Sequence, residues 1–165
     1  MVTANIHASC VACAGAATLF GAADDAGVLL LGESGSGKSD LALRLIAMGA
    51  RLVADDRCEI FFDGVLRARA PVNIAGLMEI RRVGVVALPA APQVRIALVV
   101  RASKDNVINR LPDHKLYEPP PALAVPSRLR PPEISVDPFA LSAPAKILAA
   151  VAAFEKHLFR EDIAP

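Results

Sequence analysis

The chain has 165 residues, 54% of them hydrophobic and 21% charged, and a net charge of +1. That composition excludes a disordered chain and is sufficient for one domain with a substantial core, expected to span residues 1–165. With near-neutral charge, one Tyr and no Trp, it offers neither the basic surface nor the stacking platforms of a nucleic-acid binder.

The first stretch, Val2–Ala12, alternates weakly and reads as one strand with His7 inside it. Cys10 and Cys13 form a C-x-x-C pair, but no helix start or second ligand pair follows, so both read as small core residues. With Cys58 they make three cysteines, which is no disulfide framework and fits a reducing compartment. The apolar run from Cys10 to Ala23 is preceded by no Lys or Arg and is short for a membrane span. The expected setting is the cytoplasm, without membrane or nucleic acid.

The apolar run Val28–Leu31 leads into Gly32-Glu33-Ser34-Gly35-Ser36-Gly37-Lys38-Ser39, and an amphipathic run from Asp40 to Met48 follows. Strand, glycine-rich loop and helix form the context of the phosphate-binding loop Gly-x-x-x-x-Gly-Lys-[Ser/Thr]. The glycines let successive N–H groups converge on phosphate oxygens, and the helix start adds partial positive charge. Lys38 is expected to reach the β- and γ-phosphates, and the Ser39 hydroxyl to sit on Mg²⁺. A flexible glycine turn ahead of a helix is the bland alternative, and the flanks disfavour it.

Gly49 stops the helix, and Arg51-Leu-Val-Ala-Asp-Asp56 reads as the next strand. A strand–helix–strand unit of this length makes the two strands parallel, so their carboxyl ends share one edge of the sheet. Asp55 and Asp56 therefore arrive beside the phosphate loop. Strand alternation lets only one of them point directly at the phosphates. Either can serve as base or magnesium ligand.

Cys58–Ala70 reads as a hairpin turning at Asp63-Gly64, and Pro71–Met78 as a short helix or irregular link. Val83–Leu88 and Val94–Arg101 read as strands, and Ser103–Arg110 as a short helix capped by Ser103. Pro112–Pro132 is proline-rich and reads as a surface loop or docking segment. Glu133–Asp137 is a last strand, and Ala145 to about Phe159 a C-terminal helix. On spacing alone Glu79, beside Arg81 and Arg82, reads as a surface ion pair, and Arg110 as solvated.

The phosphate loop with Asp40-Leu-Ala-Leu after it, then Gly49-Ala-Arg-Leu-Val-Ala-Asp-Asp56 and Glu59-Ile60, resembles the HPr kinase/phosphorylase family. Glu79-Ile-Arg-Arg-Val-Gly84 is similar to its second motif, Glu-Ile-Arg-Gly-x-Gly, with Arg82 in place of a glycine. The resemblance implies an α/β domain with a P-loop-containing sheet and flanking helices, similar to the phosphoenolpyruvate carboxykinase nucleotide fold. It implies ATP and Mg²⁺ as cofactors and, as partner, HPr, the serine-phosphorylated carrier protein of the sugar phosphotransferase system. It also implies a homo-oligomer, commonly a hexamer. By the same resemblance Asp56 matches the acid/base, Glu79 a second magnesium ligand, Arg110 the catalytic arginine and His7 the active-site histidine. The stretch Ala14–Asp25 is an insertion relative to the family.

Two departures from the family pattern bear on function. The chain begins almost at the catalytic domain, as in the family's short form. The loop tied to dephosphorylation, usually Val-Arg-Pro-Gly-Arg, reads Val136-Asp-Pro-Phe139, without the arginines that would hold an incoming phosphate. The expectation is a kinase with weak or absent phosphorylase activity. The rivals are a small-molecule kinase and a non-catalytic nucleotide sensor that binds HPr. A GTPase lacks support, since Ser103-Lys-Asp-Asn106 does not fit Asn-Lys-x-Asp.

Overall fold

The computed structural model describes residues 1–13, 25–103 and 114–159. Among the described residues the chain forms a curled, mixed sheet of nine strands, a separate two-stranded hairpin and two α-helices. The strands are β1 (Thr3–His7), β2 (Ser9–Ala12), β3 (Ala26–Leu31), β4 (Arg51–Ala54), β5 (Arg57–Phe62) and β6 (Leu66–Arg69). They continue with β7 (Leu77–Ile80), β8 (Gly84–Ala87), β9 (Val94–Ala102), β10 (Lys115–Leu116) and β11 (Pro132–Val136). The helices are α1 (Lys38–Ala47) and α2 (Ala143–Glu155).

The large sheet runs β1-β5-β6-β9-β3-β2-β4, with β11 also on β9 and β10 on β11. The pairs β3–β9 and β9–β11 are parallel, and the other pairings along this sheet are antiparallel. Strand β3 is buried throughout and feeds both faces by alternation. Val28 and Leu30 join Leu41 and Leu45 of α1 and Ile147, Leu148 and Val151 of α2 on one face. Leu29 and Leu31 join Ile60, Leu66, Val99 and Tyr117 on the other. Leu41 and Leu45 are four residues apart and fully buried, so they anchor α1 one turn behind the phosphate loop. Burial of that kind is worth about 1.5–3 kcal/mol per side chain.

Several expectations hold in outline and change in detail. The stretch Val2–Ala12 is two strands, not one: β1 pairs with β5, while β2 pairs with β3 and β4. The break falls at Ala8, after which the chain takes its place between β3 and β4 instead of beside β1. Strands β3 and β4 are not neighbours, because β2 lies between them. Both are antiparallel to β2, so they still run the same way and end at one edge. The C-terminal helix covers Ala143–Glu155 and ends short of Phe159, which packs its ring against Phe154 and His114 beyond the helix end.

The hairpin through Asp63-Gly64 forms as expected, with Asp63 N–H bonded to Val65 O at 3.2 Å. The described part of the proline-rich segment is a cover, not a free loop. Tyr117, Leu123 and Val125 are buried against the face of the sheet opposite the helices. Two 3-10 turns, Pro121–Leu123 and Ser127–Leu129, let a chain lacking many N–H donors stay compact. The expected helix over Ser103–Arg110, and Arg110 itself, lie outside the described residues apart from Ser103. So does the expected insertion, apart from Asp25. No helix among the described residues is long and apolar enough to cross a membrane.

Candidate active site

Strand β3 ends at Leu31 and α1 begins at Lys38, so Gly32–Gly37 is the loop between them. Gly37 precedes the helix with φ 93°, a conformation suited to glycine. A Cβ built there would lie 3.0 Å from the ring of Phe139. Leu41 N–H bonds to Gly37 O at 2.9 Å, so the N–H groups before it have no acceptor within the helix. They are the donors a phosphate needs, and Asp40 alone places negative charge in that first turn.

Lys38 is 5% exposed, and its side chain folds back over the loop. Its Nζ donates to Gly32 O at 2.9 Å, to Glu33 O at 2.8 Å and to His7 Nε2 at 3.1 Å. Burial pushes the Lys38 ammonium down from the ordinary lysine value, against the opposing pull of Asp56 and Asp55. Because Nε2 of His7 accepts from Lys38, its Nδ1 carries the proton. That Nδ1–H faces Asp56, 3.0 Å from the main-chain oxygen and 3.2 Å from Oδ1. Lysine, imidazole and carboxylate thus form one connected chain across β1, the end of β4 and the loop.

The aspartate pair departs from simple strand alternation. Arg57 N–H bonds to Asp55 O at 2.7 Å, which closes a three-residue turn around Asp56 at φ 63°. A positive φ at the centre of such a turn is strained for a non-glycine residue, and the turn re-aims its carboxylate. Asp55 is buried, and its Oδ1 accepts from Ser39 Oγ at 2.8 Å and from Ser9 Oγ at 2.8 Å. Asp56 is instead 70% exposed in its side chain and turns to His7. Both carboxylates line one cavity, each with its own partner.

That cavity has a volume of about 490 Å³, within the range that holds small-molecule ligands. It brings together His7, Lys38, Ser39, Asp55 and Asp56 with Glu79 of β7. Glu79 makes no ion pair with Arg81 or Arg82 among the described residues. It stands on the cavity wall rather than in the surface pair expected from its neighbours. Among the described residues no group of three His, Cys, Asp or Glu side chains closes round a metal. The Ser39 hydroxyl and the Asp55 and Glu79 carboxylates are hard oxygen donors, which suit Mg²⁺. Mg²⁺ commonly takes one or two carboxylates and completes its shell with water and substrate phosphate.

The family described as HPr Serine kinase C-terminal domain matches residues 16–113, more than half of the chain. The chain belongs to that family. HPr kinase/phosphorylase of Clostridium novyi (strain NT) is 51% identical over 65 residues, which are 39% of this chain and 21% of that protein. HPr kinase/phosphorylase of Leptothrix cholodnii (strain ATCC 51168 / LMG 8142 / SP-6) is 35% identical over 102 residues, 56% of this chain and 31% of that protein. The chain therefore matches less than a third of the length of these relatives. The solved structure of the Hpr(Ser) kinase/phosphatase from Coxiella burnetii superposes with a TM-score of 0.70 at 21% identity, covering 94% of this chain and 92% of that one. The fold is the α/β fold of the HPr kinase C-terminal domain, with a curled mixed sheet and few helices.

Membership in this family gives Arg82 a physical meaning. It stands where the motif carries glycine, at the tip of the β7–β8 hairpin, and has φ 65°. The backbone there takes the left-handed turn that glycine makes at little cost, and arginine holds it under strain. Two residues of the site carried no sequence signal. Ser9 reaches Asp55 only because β2 is inserted beside β4. Arg44 donates to Pro138 O at 2.8 Å, Ala140 O at 2.9 Å and Leu141 O at 3.1 Å. That clamp sets Phe139 against the glycine-rich loop, and contacts across 95 or so residues leave no local pattern.

Proposed function

We propose that this domain is an ATP- and Mg²⁺-dependent protein kinase that phosphorylates a serine of HPr. The observation that carries the reading is the Lys38–His7–Asp56 chain beside a phosphate loop whose Ser39 is bonded to Asp55. Asp56, exposed at the cavity, accepts the proton of the serine hydroxyl as its oxygen attacks the γ-phosphorus and ADP departs. His7 orients that carboxylate through Nδ1–H. Lys38 and the loop amides hold the β- and γ-phosphates, where charge accumulates in the transition state. Mg²⁺, when bound, neutralises charge between the phosphates, with Ser39, Asp55 and Glu79 as its protein ligands. Arg110, which lies outside the described residues, completes the site in this reading as a cation for the transferred group.

Phosphorylase activity is weak or absent in this reading. Val136-Asp-Pro-Phe139 stands in place of the family's Val-Arg-Pro-Gly-Arg without its arginines, and the nearby Arg44 is engaged with three main-chain oxygens. The reading also takes over the homo-oligomer and the cytoplasmic setting that the family resemblance implies. The test is purified protein with labelled ATP, Mg²⁺ and HPr, run beside an HPr whose target serine is alanine. Label on the wild-type carrier alone is expected. ATP bound with no label transferred would instead favour a nucleotide sensor.

A further inference from the structure

The β7–β8 hairpin is a sheet of its own, and its first strand runs along the cavity. Met78 is buried and Ile80 packs against the core, so one face of the hairpin is turned inward. Alternation puts Leu77, Glu79 and Val85 on the other face, with Glu79 and Val85 directly opposite one another across the strands. An antiparallel pair packed on a core through one face ordinarily carries polar residues on the other. Here Val85 is 68% exposed, and Val83, at the tip, is 71% exposed. The tip departs from expectation in its backbone as well. Val83 N–H bonds to Ile80 O at 2.9 Å and closes the turn Ile80-Arg81-Arg82-Val83. The third residue of that turn, Arg82, has φ 65°, which glycine adopts freely and arginine only at a cost. Arg82 is exposed and forms no ion pair among the described residues, so no such pair there offsets the strain. A strained residue kept in that way points to a function at its position.

Position and charge say what the tip meets. Residues Met78 to Arg81 line the cavity, whereas Arg82, Val83 and Val85 lie outside its lining. A ligand held within the cavity does not reach them. A protein that brings a serine to Asp56 does, because its surface must spread over the rim around that serine. Within Leu77–Ala87 the charged residues are Glu79, Arg81 and Arg82, so the tip is cationic and suits an acidic partner. We propose that this hairpin face is the docking surface for the protein acceptor. Val83 and Val85 lie against apolar side chains of that protein, and Arg82 pairs with a carboxylate near the accepting serine. The proposal rests on the protein-kinase reading above and adds where the acceptor sits and what its surface carries there.

The test is steady-state phosphorylation of HPr at varied carrier and salt concentrations by wild type, Arg82→Gly, Arg82→Lys, Arg82→Glu and Val85→Ser. ADP titration and sedimentation accompany each preparation. Arg82→Gly is expected to raise KM for HPr about three- to fivefold, and Arg82→Glu about tenfold or more, with kcat and ADP affinity unchanged. Arg82→Lys keeps the charge and should stay within about twofold of wild type. Added salt should raise KM for wild type and change it less for Arg82→Gly. Val85→Ser is expected to raise KM about threefold with the salt dependence of wild type. Equal KM values for wild type, Arg82→Gly and Arg82→Glu would overturn the proposal, as would a loss seen only in kcat. A changed oligomeric state in Arg82→Glu would assign the face to contacts between copies of this chain and overturn it too. If wild type binds ADP but labels no HPr, the protein-kinase reading falls and takes the docking surface with it.

Discussion

Nδ1 of His7 lies 3.2 Å from Oδ1 of Asp56 and 3.0 Å from its main-chain oxygen, while the other ring nitrogen accepts from Lys38. One imidazole therefore fixes the orientation of both the candidate base and the candidate phosphate ligand. Asp56→Asn should lower phosphoryl transfer by about 100-fold or more, with ADP affinity little changed, because the amide keeps the shape but cannot take the serine proton. His7→Ala should lower the rate about tenfold or more through loss of that orientation. Single-turnover transfer and ADP titration on the same preparations distinguish the two effects. Wild-type rates in Asp56→Asn would remove it as the base.

Asp55 has a structural and a binding role at once, since its Oδ1 accepts from Ser9 and from Ser39. Asp55→Ala leaves the fully buried Ser9 hydroxyl without that acceptor, at a cost of about 1–3 kcal/mol in denaturant unfolding. Ser39→Ala removes only the outer bond. Its stability should stay within about 1 kcal/mol of wild type, while the Mg²⁺ concentration for half-maximal transfer rises severalfold. A stability loss in Ser39→Ala as large as in Asp55→Ala would contradict this division.

The loop glycine next to the helix is constrained twice. Gly37 has φ 93°, and an added Cβ would meet the Phe139 ring at 3.0 Å and the Pro138 Cβ at 3.3 Å. Gly37→Ala should destabilise the fold by about 1–2 kcal/mol and abolish binding of both ADP and tripolyphosphate. Retained tripolyphosphate affinity would show that the loop tolerates the change.

At the hairpin tip the sign reverses. Arg82 holds φ 65° where the family motif has glycine, so Arg82→Gly should raise stability by roughly 0.5–1 kcal/mol after the entropy of glycine is counted. Chemical denaturation measures it. A drop in stability would mean that the Arg82 side chain makes a compensating contact.

The cysteines are buried and report on the core. Burial pushes the Cys13 thiol up to about 12 from an ordinary 9.0, and hydrogen bonding with Cys58 together with burial raises Cys10 well above it. The folded state therefore keeps protons that the unfolded chain loses above pH 9, so this contribution to stability is full below that pH and declines as pH rises toward 12. In native protein at pH 8 a thiol-specific reagent should label none of the three, and all three after unfolding. Rapid labelling of Cys10 or Cys13 in the native state would argue against their being core residues.

The phosphate loop, α1 and the hairpin through Asp63-Gly64 were legible in the sequence because each is fixed by neighbours in the chain: strand, glycines, helix period, turn residues. The placement of Asp55 and Asp56 at the loop followed from the direction of β4, which survived even though β2 intervenes. What alternation could not supply was the turn at Asp56, whose positive φ depends on β4 and β5 being pinned on both sides. The break of Val2–Ala12 at Ala8 was hidden for a similar reason: both halves are extended, and only their pairing partners differ. The Arg44 clamp on residues 138–141 is a contact between distant segments, and no local periodicity encodes it.

The three hydrogen-bond donors of the Lys38 ammonium are already engaged by two loop carbonyls and an imidazole. An arriving anion must displace at least one of these acceptors, so its affinity measures an exchange and not the filling of a bare cation site. Chloride or acetate offers one weak contact in return and is expected to bind poorly. A polyphosphate reaches the helix-start amides in the same event and tips the exchange in its favour. Selectivity for the longer anion is thus set before any ligand arrives, by how well the loop keeps its own lysine occupied.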